Sequence, residues 1–237
     1  MGAQPSPVTN QRQALLIDAD DTLWENNLYF KQAIAEFEQL LTPLLLPRET
    51  LVRELNRVEE RNIRQRGYGA RRFVASLEET YRNLAGPKTD AAVVAKIRRL
   101  IDHVLFQETH LYPGVRETLA YLSPRHRLRL LTKGDPEEQA RKVKLSHLLH
   151  FFEDFDILPE KDTGAFRRLA EQLELPPTST WVVGNSPRSD INPALAAGLN
   201  AVYIPSPHTW ELEKEDIRAS SGRLLVLESF TRLRDYF

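Results

Sequence analysis

The sequence contains no cysteine. That excludes a disulfide scaffold, a thiol nucleophile and any zinc or iron–sulfur centre held by thiolates. It also agrees with a reducing compartment. Charge of neither sign is in excess, with 32 Lys and Arg against 33 Asp and Glu and a formal net charge of −1. No surface for nucleic acid or for a membrane is implied. No stretch approaches the ~18 consecutive apolar residues of a membrane span. The opening residues 1–13, MGAQPSPVTNQRQ, are polar and lack the apolar core of a signal peptide. They read as a flexible N-terminal tail on a cytoplasmic protein. No repeat or low-complexity tract is visible. The 237 residues suffice for one large domain, or for a core with a smaller companion.

What is present is ordinary for a globular chain, with 41% hydrophobic and 27% charged residues. Six short apolar runs punctuate it: Ala14–Ile17, Leu128–Leu131, Phe155–Leu158, Trp181–Val183, Ala201–Ile204 and Leu224–Leu227. Each is bounded by turn-forming or polar residues, as buried strands are. Helical stripes lie between them. Ala33, Ile34, Phe37, Leu40 and Leu41 share one face, as do Val93, Val94, Ile97, Leu100, Ile101, Val104 and Leu105, and again Phe166, Leu169 and Leu173. These stripes read as core packing. From Leu128 onward strands and helices alternate, which predicts an α/β fold with a parallel sheet and helices on both faces. More than a hundred residues with helical patterns separate the first two runs. Much of that length reads as a helical insertion bounded near Glu25 and Thr109, with Pro113-Gly114 opening the returning helix.

Four of the runs end in polar clusters. The first leads into Asp18-Ala19-Asp20-Asp21-Thr22. In an open parallel sheet ligands bind beyond the carboxyl ends of the strands. Carboxylates packed this closely repel unless a cation or a proton relieves them. Hard oxygen donors in a small space favour magnesium. One carboxylate can attack phosphorus while the other exchanges a proton with the leaving group and then with water. The plainer alternative is an acidic loop with Asp21 or Thr22 capping a helix. The second run ends in Thr132-Lys133-Gly134, where a hydroxyl and backbone N–H groups can meet a phosphoryl oxygen, or simply form a turn. Lys161 follows the third run, where an ammonium can neutralise phosphate and nearby acids, or be a solvated loop residue. The fourth ends in Gly184-Asn185-Ser186-Pro187-Arg188-Ser189-Asp190. There Asn185 and Asp190 offer oxygen, unless the segment is only a turn leading into a helix. Acids, hydroxyl, lysine and acid, each behind an apolar run and in that order, form a joint pattern that chance rarely produces. The six histidines, His103, His110, His126, His147, His150 and His208, show no metal-ligand spacing.

This set resembles the haloacid dehalogenase superfamily, in its phosphatase branch with a helical (C1-type) cap. The likeness runs from Leu15 to about Ile204. It implies a Rossmann-like core in residues 14–24 and 109–237, with an α-helical cap in 25–108 that closes over the site and sets substrate choice. It further implies Asp18 as nucleophile, Asp20 as general acid/base, and Thr132 and Lys161 as the second and third motifs. Thr132, Lys133, Gly134 and Lys161 fall where the phosphate would bind. Magnesium would be held by Asp18, the backbone carbonyl of Asp20, and Asp190, with Asn185 directly or through water. Two positions depart from the family pattern: Asn185 stands where aspartate is usual, and Lys133 where asparagine is common. The resemblance thus implies a magnesium-dependent hydrolase of a small phosphorylated metabolite, monomeric or homodimeric. Two rivals share the fold: a 2-haloacid dehalogenase, which needs neither magnesium nor the second acid, and a catalytically weak binding protein. Within the insertion, Gly67-Tyr68-Gly69-Ala70-Arg71-Arg72 reads either as a substrate contact or as a helix–helix turn.

Overall fold

The computed structural model describes residues 11–105, 108–218 and 222–237. Most of the polar N-terminal tail therefore lies outside the described residues. The chain separates into two compact units. One comprises residues up to Glu25 together with Thr109–Phe237, and the other Asn26–Glu108.

In the first unit, strands β1 (Ala14–Ile17), β2 (Arg127–Lys133), β3 (Asp154–Leu158), β4 (Thr180–Gly184), β5 (Asn200–Tyr203) and β6 (Leu224–Val226) form a six-stranded sheet in the order β3-β2-β1-β4-β5-β6. Every neighbouring pair is parallel. All six apolar runs lie on these strands, with ends shifted by a residue or two. The chain winds outward from β1 through β2 and β3, then crosses back to β4 on the other side. The reversal of strand order falls between β1 and β4, and ligands bind at the carboxyl edge of such a switch point.

Alternation along β1 divides the core into two layers. Leu15 and Ile17 join Leu128, Leu130, Trp181 and Val183 in one cluster, with Val115, Leu119 and Leu122 of a helix and Val143 of another. Ala14 and Leu16 join Leu131 and Val182 in the other, with Phe166 and Leu169. The helices thus cover both faces, as the strand–helix alternation predicts.

The second unit is helical. It carries α1 (Asn27–Leu40), α2 (Arg48–Arg66), α3 (Ala70–Ala85), α4 (Ala91–Arg99) and α5 (Asp102–Leu105). Its own core gathers Ala33, Phe37, Leu55, Phe73, Leu77, Val94 and Ile97, so the two stripes read in this region do pack inward. Gly67 closes α2 with a φ of +77° and Gly69 precedes α3 with a φ of +140°. Both are conformations that glycine adopts without strain. The stretch from Gly67 to Arg72 is thus a turn between helices that continues into the start of α3.

The remaining helices return to the first unit: α6 (Val115–Leu122), α7 (Pro136–Ser146), α8 (Thr163–Gln172) and α9 (Asn192–Ala196). Asp135 caps α7 by accepting from the amides of Glu137 and Glu138, with Pro136 at the first helical position. Asp162 caps α8 through the amide of Ala165 at 2.7 Å. Both helices therefore start within a few residues of a strand end. Among the described residues no helix is long and apolar enough to cross a membrane.

One buried acid in the helical unit yields a test. Glu59 on α2 is buried, and burial pushes its carboxyl up to about 8 from 4.5. The folded state therefore keeps a proton that the unfolded chain releases. Its contribution is full below about pH 4.5 and is lost as pH rises through about 8. Glu59→Gln should raise the melting temperature at pH 8 and flatten its decline between pH 5 and 8, as read by circular dichroism. A variant that melts with the wild-type pH dependence would show that Glu59 is already ionised in the fold.

Candidate active site

Asp18 directly follows β1. Its amide donates to the carbonyl of Val183 at 2.8 Å, which extends the pairing one residue past the strand. The chain then folds on itself: the amide of Leu23 donates to the carbonyl of Ala19, and that of Asp21 to the carbonyl of Trp24, both at 2.8 Å. Asp21 takes a φ of +60°, a conformation aspartate tolerates better than most residues. No helix begins here, since α1 starts only at Asn27. Asp21 and Thr22 are therefore not helix caps. The Thr22 hydroxyl donates instead to Asp18 Oδ2 at 2.8 Å and approaches Asn185 Oδ1 at 3.4 Å.

Lys161 stands at the centre of the site. Its ammonium donates to Asp18 Oδ1 and, at 2.9 Å, to Asp190 Oδ1. Asp18, Lys161 and Asp190 are 6%, 3% and 1% exposed, so three charges share a space nearly free of water. Burial opposes the charge on Lys161, but Asp18 and Asp190 outweigh it and hold the ammonium well above its ordinary range. Burial pushes the Asp18 carboxyl up, and the charge of Asp190 adds to this against the pull of Lys161. With both acids ionised, one ammonium would leave a negative charge uncompensated, and the upward shift of Asp18 answers it.

Asp190 sits in a helical turn of π geometry, Pro187–Ile191. Its Oδ2 accepts from the Ser186 amide at 3.0 Å. The carboxylate lies so close to Gly184 that a Cβ there would stand 2.3 Å from Oδ2. Glycine at the end of β4 is thus required by close approach. Asn185 is buried beside it and donates to the Thr209 hydroxyl at 3.4 Å.

Asp20 points to a different set of partners. Its carboxylate accepts from Trp24 Nε1 at 2.7 Å, from Gln139 Nε2 at 3.0 Å, and from Lys142. Thr132, buried near the end of β2, donates to Gln139 Oε1 at 3.1 Å. Lys133 turns to another network. Its ammonium bonds Ser189 and Glu213 at 2.7 Å and Glu160 at 3.1 Å. Glu213 is buried and also accepts from the Ser186 and Ser189 hydroxyls. Burial would raise its carboxyl, but Lys133 and the two hydroxyls prevail and hold it below the ordinary range. Lys133 therefore braces the turn that carries Asp190.

Asp18, Lys161, Asn185 and Asp190 thus form one connected cluster through Thr22. Asp20 and Thr132 form a second one through Gln139. Trp24, Gln139, Lys142, Ser186, Ser189 and Glu213 escape a reading of the sequence alone. Gln139 and Lys142 carry a faint signal, being polar and three residues apart on a helix that starts at a strand end. Glu213 carries none, for it comes from a loop beyond β5. Of the histidines, His126 is structural: its ring accepts from the Gln13 amide at 3.2 Å and lies 3.1 Å from the carbonyl of Phe237.

Among the described residues no set of three or more His, Asp and Glu side chains is placed to hold a metal ion. The oxygen donors at the site are the carboxylates of Asp18 and Asp190 and the amide of Asn185. That set fits magnesium, which binds through one or two carboxylates and keeps several waters.

The sheet order and the charged cluster at its switch point define a Rossmann-like α/β enzyme core. Comparison with known proteins narrows this. Residues 13–198 match the model of the haloacid dehalogenase-like hydrolases, and the chain belongs to that family. A haloacid dehalogenase-like hydrolase from Xanthomonas campestris shares 27% identity over 99% of this chain and 97% of its own, with a TM-score of 0.81. A family hydrolase from Bacillus subtilis, solved bound to magnesium, is 20% identical over 95% of this chain and 98% of its own, at 0.59. The L-2-haloacid dehalogenase of Xanthobacter autotrophicus is 14% identical over the same shares, at 0.61. At such identities the last two show the fold alone. A phosphoserine phosphatase of Thermus thermophilus is 30% identical over 115 residues, which is 45% of this chain and 46% of that protein. The match thus spans about half the length of this relative.

Removing the ammonium should expose how the cluster is balanced. Lys161→Met leaves Asp18 and Asp190 buried with no counter-ion, and stability to urea at pH 7 should fall by about 3–5 kcal/mol. A loss under about 1 kcal/mol would mean that water or another cation reaches the carboxylates freely.

Proposed function

We propose that this hydrolase cleaves small phosphate monoesters through a covalent phosphoryl intermediate on Asp18. The observation that carries the reading is the second carboxylate. Asp20 stands two residues beyond Asp18 and is held by three side-chain donors. A nucleophile alone would need no such partner, whereas ester cleavage needs a proton delivered to the leaving oxygen and then removed from water. In this reading Asp18 attacks phosphorus and Asp20 protonates the departing oxygen as the ester bond breaks. Water deprotonated by Asp20 then releases phosphate from Asp18. Lys161 donates to oxygens of the transferring group, the single Thr132 proton stays on Gln139 beside it, and the buried site keeps bulk water out. Asp18, Asp190, Asn185 and the carbonyl of Asp20 would hold magnesium, which when bound would neutralise phosphoryl charge. The partial likeness to a phosphoserine phosphatase agrees with this.

A second reading, dehalogenation of a 2-haloacid, is favoured by one residue. Asn185 removes a charge from the magnesium donor set, and attack on carbon needs no metal. The intact Asp20 and the paired acids Asp18 and Asp190 favour phosphate.

The two separate in one assay. Purified protein should hydrolyse p-nitrophenyl phosphate with magnesium, and activity should vanish in EDTA and in Asp18→Asn. Chloride release from 2-chloropropionate without ester hydrolysis would favour the second reading. Ester hydrolysis that persists both in EDTA and in Asp18→Asn would refute the mechanism.

A further inference from the structure

Gln139 has both ends of its amide committed. Oε1 accepts from Thr132 and Nε2 donates to Asp20 Oδ2, at 3.1 and 3.0 Å. It is therefore bonded to both the second-motif hydroxyl and the second carboxylate of the first motif. Its seat is built in. Asp135 and Pro136 fix where α7 starts, and Gly134 leaves room for the side chain. A Cβ at Gly134 would stand 2.8 Å from Gln139 Nε2, and its φ of +146° independently favours glycine. Gln139 is itself buried, so its amide cannot exchange these partners for water.

The Asp20 carboxylate is also saturated. Oδ1 accepts from Trp24 and Lys142, and Oδ2 from Gln139 and Lys142. A carboxylate offers about four acceptor positions. To exchange a proton with a substrate oxygen, Asp20 must give up one contact. Lys142 spans both oxygens and can release one while keeping the other. Gln139 is bound on its far side by Thr132 and holds Asp20 in register with the phosphate-binding strand end.

We infer that Gln139 is a positioning residue for proton transfer by Asp20, aligning that carboxylate with Thr132. The inference rests on the phosphatase reading above. In the step it serves, an Asp18 oxygen bonds phosphorus as the ester P–O bond breaks, and the Asp20 proton passes to the leaving oxygen. A misplaced Asp20 therefore slows esters whose leaving oxygen needs the proton and spares those that leave as stable anions.

The test compares kcat/KM on glycerol 2-phosphate, an alkyl ester, with that on p-nitrophenyl phosphate. Three variants are used: Gln139→Leu, Gln139→Glu and Asp20→Asn. Gln139→Glu keeps shape and the acceptor for Thr132, but sets an oxygen against Asp20. Both Gln139 variants should lose about 10- to 100-fold on the alkyl ester and several-fold less on the aryl ester, with near-wild-type melting temperatures for Gln139→Glu. Equal losses on the two esters, or wild-type activity in Gln139→Glu, would overturn the inference while a selective loss in Asp20→Asn left the phosphatase reading standing. If Asp20→Asn showed no selective loss, the proton-transfer reading of Asp20 would fall, and the role of Gln139 with it.

Discussion

The structure of the site depends on one buried contact, the ammonium of Lys161 between Asp18 and Asp190. Taking any of these charges out of water costs several kcal/mol, and only a close opposite charge offsets it. The lysine arrives from the end of β3 and the two acids from β1 and the turn after β4. Their encounter ties three strand ends together at the point where the sheet reverses its winding. Without that ammonium, one of the two acids would have to take up a proton to stay buried beside the other. Under the proposed reading, magnesium would answer the charge that the two acids and one ammonium leave between them.

Around that contact the packing is arranged to leave little freedom. Gly184 lets the Asp190 carboxylate rest against the backbone. Glu213 gathers Ser186, Ser189 and Lys133 and so stiffens the turn carrying Asp190. Thr22 links Asp18 to Asn185. On the other side Trp24, Gln139 and Lys142 hold Asp20. The nucleophile candidate and the proton-transfer candidate, two residues apart in sequence, thus belong to separate hydrogen-bonded networks. Separate anchoring allows two carboxylates of one short loop to take different roles.

Much of this architecture is legible in the sequence, for physical reasons that differ from part to part. Buried parallel strands are short apolar runs with abrupt ends, so all six are visible, and so are the polar clusters that close four of them. The boundaries were less so: β2 continues through Thr132 and Lys133 because backbone pairing with β3 reaches Lys133 and Leu158, a constraint from a neighbouring strand. Thr22 is a plausible helix cap on local chemistry, but its hydroxyl is taken by Asp18. Lys133 reads locally as a phosphate contact, whereas its ammonium is engaged by Glu213, eighty residues away. Gln139, Lys142 and Glu213 gain their roles only from which strand ends the fold brings together, and a linear pattern carries no record of that.

In the proposed reaction Asp18 itself takes up the phosphoryl group. The most direct measurement is rapid acid quench of the wild-type protein during turnover of p-nitrophenyl phosphate with magnesium, followed by peptide mass spectrometry. A peptide that has gained one phosphoryl group is expected, with the group assigned to Asp18 and released by mild base as an acyl phosphate must be. Sustained turnover with an unmodified Asp18, or with the phosphoryl group on another residue, would contradict it.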